Sequence, residues 1–166
     1  RSLLKARSVS IEGCFDRASL LERAEQQRMA LEAAAVPPPP AWPGGEPVEQ
    51  GPKSGASSSL ILLHGFGDSG SGFISSMGGP LVAMPGLRTV FPSAAKTQMG
   101  GYAMSSWLTM APGANPMAMM RAGDAQVADP VAYVHALIRR EIARGVPSTA
   151  IASGGFSQGG LVAVRA

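Results

Sequence analysis

Residues 58–166 predict an α/β fold, a parallel sheet covered by helices on both faces. Two observations lead there. Short apolar runs of strand length at 59–63, 87–91 and 149–153 alternate with segments of helical character. The first run, Ser-Leu-Ile-Leu-Leu, is apolar at nearly every position, as a strand buried on both sides requires.

The elements follow in order. Residues 15–35 mix charged side chains with Leu20, Leu21, Met29 and Leu31, the pattern of an amphipathic helix of modest strength. Pro37 to Pro40, then Pro43, Gly44 and Gly45, end it, because proline has no N–H to donate and restrains the residue before it. From there to Ser58 the chain is rich in Pro, Gly, Ser and Glu and reads as an extended linker. The predicted organisation is a helical or disordered N-terminal extension at 1–35, a linker at 36–57 and the α/β part at 58–166. After the strand at 59–63 come a glycine-rich turn, a helix within 72–84 and a strand at 87–91. Residues 94–126 are rich in Met, Gly and Ala and nearly free of charge. Met99, Met104, Met110, Met117, Met119 and Met120 suit an adaptable apolar groove; an irregular loop with some core contacts is the equal alternative. The helix at 130–144 is the best marked. Asp129 is placed to cap it, Pro130 suits its first position, and Gly145 with Pro147 supplies the stop. Val131, Val134, Ile138 and Ile142 recur at helical spacing and predict its buried stripe, with His135 on the border.

The most informative string is Gly155-Phe156-Ser157-Gln158-Gly159. It follows the apolar residues 150–152 and heads the apolar stretch 161–164, so a strand ends, the chain turns at a serine and a helix begins. The flanking glycines let two backbones pass close to a strained serine, where a Cβ would clash. The turn exposes Ser157 Oγ beside the N–H groups and positive dipole of a helix N-terminus. That is the layout of a hydrolase nucleophile. Acyl transfer also needs two backbone N–H donors aimed at the developing oxyanion, one after the nucleophile and one from the loop after an earlier strand. His64-Gly65-Phe66-Gly67-Asp68-Ser69-Gly70, directly after the 59–63 strand, is such a loop. The candidate donors are the main-chain N–H groups of Gln158 and Phe66.

Together these strings resemble the acyl-protein thioesterase and carboxylesterase group of serine α/β-hydrolases, also described as lysophospholipase-like. The carrying residues are Leu63 to Gly70, Phe91-Pro92-Ser93-Ala94, Ser106-Trp107, Gly145-Val146-Pro147 and Gly154-Gly155-Phe156-Ser157-Gln158-Gly159-Gly160, in order and in spacing, over residues 58–166. The resemblance implies a partial α/β-hydrolase fold with Ser157 as nucleophile and Phe66 and Gln158 at the oxyanion hole. It also implies hydrolysis of acyl thioesters or carboxylic esters, including palmitoyl-protein and lysophospholipid substrates, through an acyl-serine and without metal or organic cofactor. Trp107 is the candidate substrate contact. One departure concerns its loop: the group usually has Trp-Phe-Asp or Trp-Tyr-Asp where this chain has Trp107-Leu108-Thr109, so a local acidic anchor is missing.

In that fold the triad runs serine, acid, histidine along the chain, and no residue here fills the last two roles. His64 reads as structural, His135 as a packed or half-exposed helix residue, and Asp68 as a turn residue bonding backbone N–H groups. The expectation is a C-terminally partial chain, its later strands missing and its elbow strand left as an open sheet edge. The start at Arg1 rather than Met leads to the same expectation upstream, where a targeting peptide is an open alternative. The competing reading is a catalytically inactive fragment or an acyl-binding module; a third assigns function to the N-terminal helix.

Composition bounds the partners. A net charge of +3 is too small to argue for nucleic acid. Arg139, Arg140 and Arg144 crowd the end of one helix; a solvated end complementing the helix dipole explains them, and attraction to an anionic membrane surface is the sharper reading. Cys14 is the lone cysteine, so an internal disulfide is excluded and a reducing, cytoplasmic location is the default. No Cys and His spacing suits zinc, and no run has the length of a membrane-spanning helix. The expected partner is an acylated protein or a lipid or ester substrate, and the oligomeric state is not legible.

Overall fold

The computed structural model describes residues 36–82, 84–109 and 123–166, with Ala18, Ser19, residues 21–23, Glu25 and Gln26. Those N-terminal residues are helical, and Gln26 Nε2 donates to Glu22 Oε1 one turn earlier at 3.3 Å. Leu21 is exposed, and the other apolar positions predicted for that helix lie outside the described residues. The chain divides into two compact units, Arg1–Pro37 and Pro38–Ala166.

Along the second unit run β1 (Val48–Gln50), β2 (Ser58–Leu63), α1 (Gly70–Val82), β3 (Leu87–Phe91), β4 (Lys96–Met99), β5 (Tyr102–Ser105), α2 (Asp124–Ala143), a 3-10 turn (Ser148–Ala150), β6 (Ile151–Gly155) and α3 (Gln158–Ala163). Four strands form one sheet in the order β1-β3-β2-β6. β2 pairs parallel with β3 and β6, whereas β1 is antiparallel to β3, so the sheet is mixed rather than wholly parallel. Alternation along the strands assigns the faces. Ser59 on β2 and Arg88 on β3 bond Glu141 of α2, while Phe91, on the opposite face from Arg88, meets Phe73 of α1 edge-on. Helices therefore cover both faces, as the sequence predicts. The core on the α2 side gathers Ile61, Leu63, Val90, Trp107, Leu108, Val134, Leu137 and Val162.

Four expectations are corrected. Residues 36–57 are not an extended linker: Trp42 packs on the core and β1 joins the sheet, because Val48, Glu49 and Gln50 find backbone partners at Phe91, Val90 and Thr89. The Met-rich stretch is not wholly irregular. It contains the β4–β5 hairpin, closed by Gly100 and Gly101, both at positive φ (58° and 85°) as a tight two-residue turn needs. Met110, Met117, Met119 and Met120 lie outside the described residues. α2 begins at Asp124 rather than Pro130, because Gln126 Oε1 accepts the Gly123 N–H (2.9 Å) and caps the helix nearly two turns earlier than Asp129 would. Its buried stripe is Val127, Pro130, Tyr133, Val134, Leu137, Arg140 and Glu141; of the predicted positions Val134 is buried, Val131 and Ile138 pack half-buried on the core, and only Ile142 is exposed.

The arginines at the end of α2 are also corrected. Arg140 and Arg144 are not solvated: with Arg88 they converge on Glu49 of β1 and Glu141 of α2. Arg140 and Arg88 each bond Glu49 directly, and Arg88 Nε lies 3.1 Å from Glu141 Oε2. Ser59 Oγ donates to Glu141 at 2.9 Å. Burial alone would raise the Glu49 carboxyl, but the bond to Arg140 and the charges of Arg88 and Arg140 hold it below the usual carboxylate value. Only Arg139 of the predicted cluster stays exposed.

Candidate active site

β6 ends at Gly155 and α3 starts at Gln158, so the strand-to-helix reversal is made by Phe156 and Ser157 alone. Ser157 has φ 51° and ψ −116°, and it is the only non-glycine at positive φ among the described residues. Such backbone costs about 1–3 kcal/mol and persists only where the surroundings impose it. Here they do. Phe156 N–H donates to Leu63 O at 3.0 Å, tying the turn to the end of β2, and Gly159 N–H donates to Phe156 O at 2.9 Å. A Cβ at Gly155 would lie 2.5 Å from the Gly159 carbonyl carbon, and one at Gly159 would lie 2.5 Å from His64 O and closer still to Leu63 O. The glycines are required by contact between backbones. Ser157 itself is exposed, as is Phe156 at 67 %, and the Phe156 ring rests over Gly65.

Residues 64–70 stand directly against this turn. Gly67 N–H donates to Ser105 O at 2.9 Å, so the hairpin end holds the loop, and Met104 lies against Gly67. Asp68 accepts the Ser69 N–H at 2.7 Å, the turn role expected of it, and Ser69 Oγ caps α1 by accepting the Gly72 N–H at 3.0 Å. Phe66 is half-buried against the core.

His64 is fully buried and its chemistry is fixed. Ala94 N–H donates to His64 Nε2 at 2.9 Å, so that nitrogen carries the lone pair and Nδ1 carries the proton, which it gives to Gly65 O at 2.6 Å. Burial pushes its pKa below the ordinary histidine value, against the Gly65 carbonyl and Asp68, which favour the charged form. Both ring nitrogens are committed and neither serves Ser157. His135, half-buried on α2, bonds Ala166 O through Nε2 at 2.6 Å. The structural readings of both histidines agree with this geometry.

Trp107 is a correction. Expected at the substrate, it is only 2 % exposed and belongs to the core. Its indole N–H donates to His64 O at 2.8 Å and its ring tilts against the His64 ring, with centroids 5.2 Å apart. Its backbone N–H donates to Gln158 Oε1 at 2.7 Å, and Gln158 Nε2 donates to Ser106 Oγ at 3.0 Å. Sequence reading assigned Gln158 through its main chain only; its side chain ties the serine turn to the 106–108 loop.

Strand, strained serine, glycine-flanked loop and helix stand in the arrangement that the resemblance implies. Residues 45–166 match the family described as Phospholipase/Carboxylesterase. The chain belongs to this family. It is 33 % identical over 118 residues to acyl-protein thioesterase 1 of Schizosaccharomyces pombe, covering 69 % of this chain and 51 % of that protein. It is 31 % identical over 117 residues to acyl-protein thioesterase 1 of Cryptococcus neoformans, covering 68 % and 49 %. The chain therefore spans about half the length of the curated relatives it matches. Among solved structures it is similar to Arabidopsis thaliana SOBER1 (TM-score 0.52, 26 % identity, 65 % of this chain and 53 % of that one). It shares its fold with Zea mays acyl-protein thioesterase 2 (TM-score 0.50, 23 % identity, 72 % and 49 %). The fold is thus a partial α/β one. Among the described residues no group of His, Cys, Asp and Glu could hold a metal, and no helix is long and apolar enough to cross a membrane.

Proposed function

We propose that the protein to which this chain belongs is a serine hydrolase cleaving acyl thioesters of proteins, or related carboxylic esters, with Ser157 as nucleophile. The observation that carries this is the backbone of Ser157, strained at positive φ between a strand end and a helix start and exposed there. In the first step a general base takes the Ser157 proton as Oγ attacks the acyl carbonyl, and the N–H groups of Phe66 and Gln158 stabilise the oxyanion; its collapse breaks the bond to the thiol or alcohol, which leaves with that proton, and water then releases the fatty acid from the acyl-serine. The general base is a histidine oriented by an acid, both from sequence that these 166 residues do not span, since both histidines present are engaged elsewhere. Met104 and Phe156, beside the loop and the serine, are the side chains we assign to an acyl chain. The lone Cys14 supports a reducing, cytoplasmic setting.

A second reading is favoured by those same engaged histidines: the chain of residues 1–166 alone binds acyl groups without turning them over. A labelled fluorophosphonate separates the two. Labelling of the protein carrying the remainder of the domain, abolished by Ser157→Ala, supports the hydrolase. Acyl-chain binding with no labelling in either form leaves the binding module and removes Ser157 as a nucleophile.

A further inference from the structure

Trp42 lies before the matched family segment and inside the stretch that reads as linker, yet its side chain reaches the back of the candidate site. Its indole stacks on Tyr133 of α2 (centroids 4.6 Å, planes 9° apart) and on Trp107 (6.2 Å, 20°). Its Nε1–H donates to Ser93 O at 2.9 Å. Two residues on, a Cβ at Gly44 would lie 2.7 Å from the Ser93 carbonyl carbon, so the turn at 42–45, closed by the Gly45 N–H on Trp42 O, lies directly on the backbone after β3. Two of the three groups that Trp42 touches continue to His64: Trp107 Nε1–H donates to His64 O, and the Ala94 N–H after Ser93 donates to His64 Nε2. Trp107 N–H also donates to the Gln158 side-chain oxygen.

We infer that Trp42 is a positioning residue of the site: it clamps Trp107 and Ser93 from behind, and through them fixes the 64–67 loop and the start of α3. The inference rests on the reading of Ser157 as nucleophile and of Phe66 and Gln158 as oxyanion donors. An exposed linker tryptophan would have no such effect. Physical reasons favour the clamp. A stacked aromatic pair adds stability beyond its buried area, and it orients the Trp107 indole, whose N–H bonds His64 O, beside the Trp107 backbone N–H that bonds Gln158.

The test compares Trp42→Ala and Trp42→Phe in the full chain by amide hydrogen exchange, and in the protein with its complete domain by fluorophosphonate kinetics. Trp42→Ala is expected to speed exchange at the Ala94 and Trp107 amides by about tenfold, the scale such a stack supports, and to leave the β2–β3 amides unchanged. Trp42→Phe, which keeps the stack, restores protection at Trp107 but not at Ala94. In the kinetic arm the limiting rate of Ser157 modification falls about tenfold in Trp42→Ala with the half-saturating probe concentration unchanged, the signature of lost positioning. Unaltered exchange at Ala94 and Trp107 overturns the inference, and so does a loss spread evenly over the sheet in both variants. Absence of modification in the unmutated protein removes the nucleophile reading, while the exchange arm still decides the clamp.

Discussion

The corner where β2 meets the serine turn and the corner where β1 meets α2 are held by opposite kinds of force. At the first, neutral groups do everything: glycines at 155 and 159 bring backbones to contact distance, and His64, Gln158 and Trp107 exchange hydrogen bonds with main chain. At the second, Arg88, Arg140 and Arg144 surround Glu49 and Glu141. The neutral corner is rigid because nothing in it can be enlarged. The charged corner is rigid only while every charge keeps its partner, since burying an unpaired ion costs far more than the pair gains. The nucleophile we propose sits at the first, and anchorage of the β1 segment, with Trp42 ahead of it, at the second.

The contrast can be broken most severely at Gly159. Gly159→Ala should cost about 4 kcal/mol or more, because its methyl would meet main-chain oxygens that cannot retreat, whereas Gly45→Ala, with nothing near a Cβ, should cost about 1 kcal/mol from positive φ alone. Urea melts of the two variants read the difference. Next comes Glu141→Ala, which takes from Arg88 one of its two carboxylate partners and from Ser59 Oγ its acceptor; a loss of about 3 kcal/mol in the same assay is expected, the low end for a broken buried pair because Glu49 still holds Arg88. Gln158→Ala is smaller. It leaves the buried Trp107 N–H unpaired, at about 1–3 kcal/mol, and should raise exchange at that amide first. The smallest effect sharpens the comparison through acid. Glu49 has a depressed pKa in the fold, so its stabilisation is complete above the unfolded value of 4.5 and is lost as pH falls through the lower folded value. Melting temperature should therefore fall less steeply below about pH 5 in Glu49→Gln than in the unmutated protein. Equal acid limbs would show that Glu49 does not govern the charged corner.

The neutral corner was largely legible because its signals are local. Gly155 to Gly159 encode the turn within five residues, and residues 59–63 and 87–91 carry enough apolar character to declare buried strands. The charged corner was not. Glu49, Arg88 and Glu141 are far apart along the chain, and Val48 to Gln50 is too short and polar to read as a strand until β3 presents its free edge. The hairpin had a signal that was not taken up: Gly100-Gly101 between Met99 and Tyr102 is the two-residue turn that closes such strands. Trp107 misled because an aromatic in a family motif suggests substrate, while its indole N–H was destined for a backbone carbonyl.

The stack of Trp42 on Trp107 holds the entire tryptophan complement of the chain, which has two. Tryptophan emission from these 166 residues is consequently a gauge mounted at one spot, the rear wall of the serine turn, rather than an average over the chain. A fluorescence-monitored transition times the arrival of the upstream segment at that wall, and disagreement with far-ultraviolet dichroism would separate that docking from assembly of the sheet.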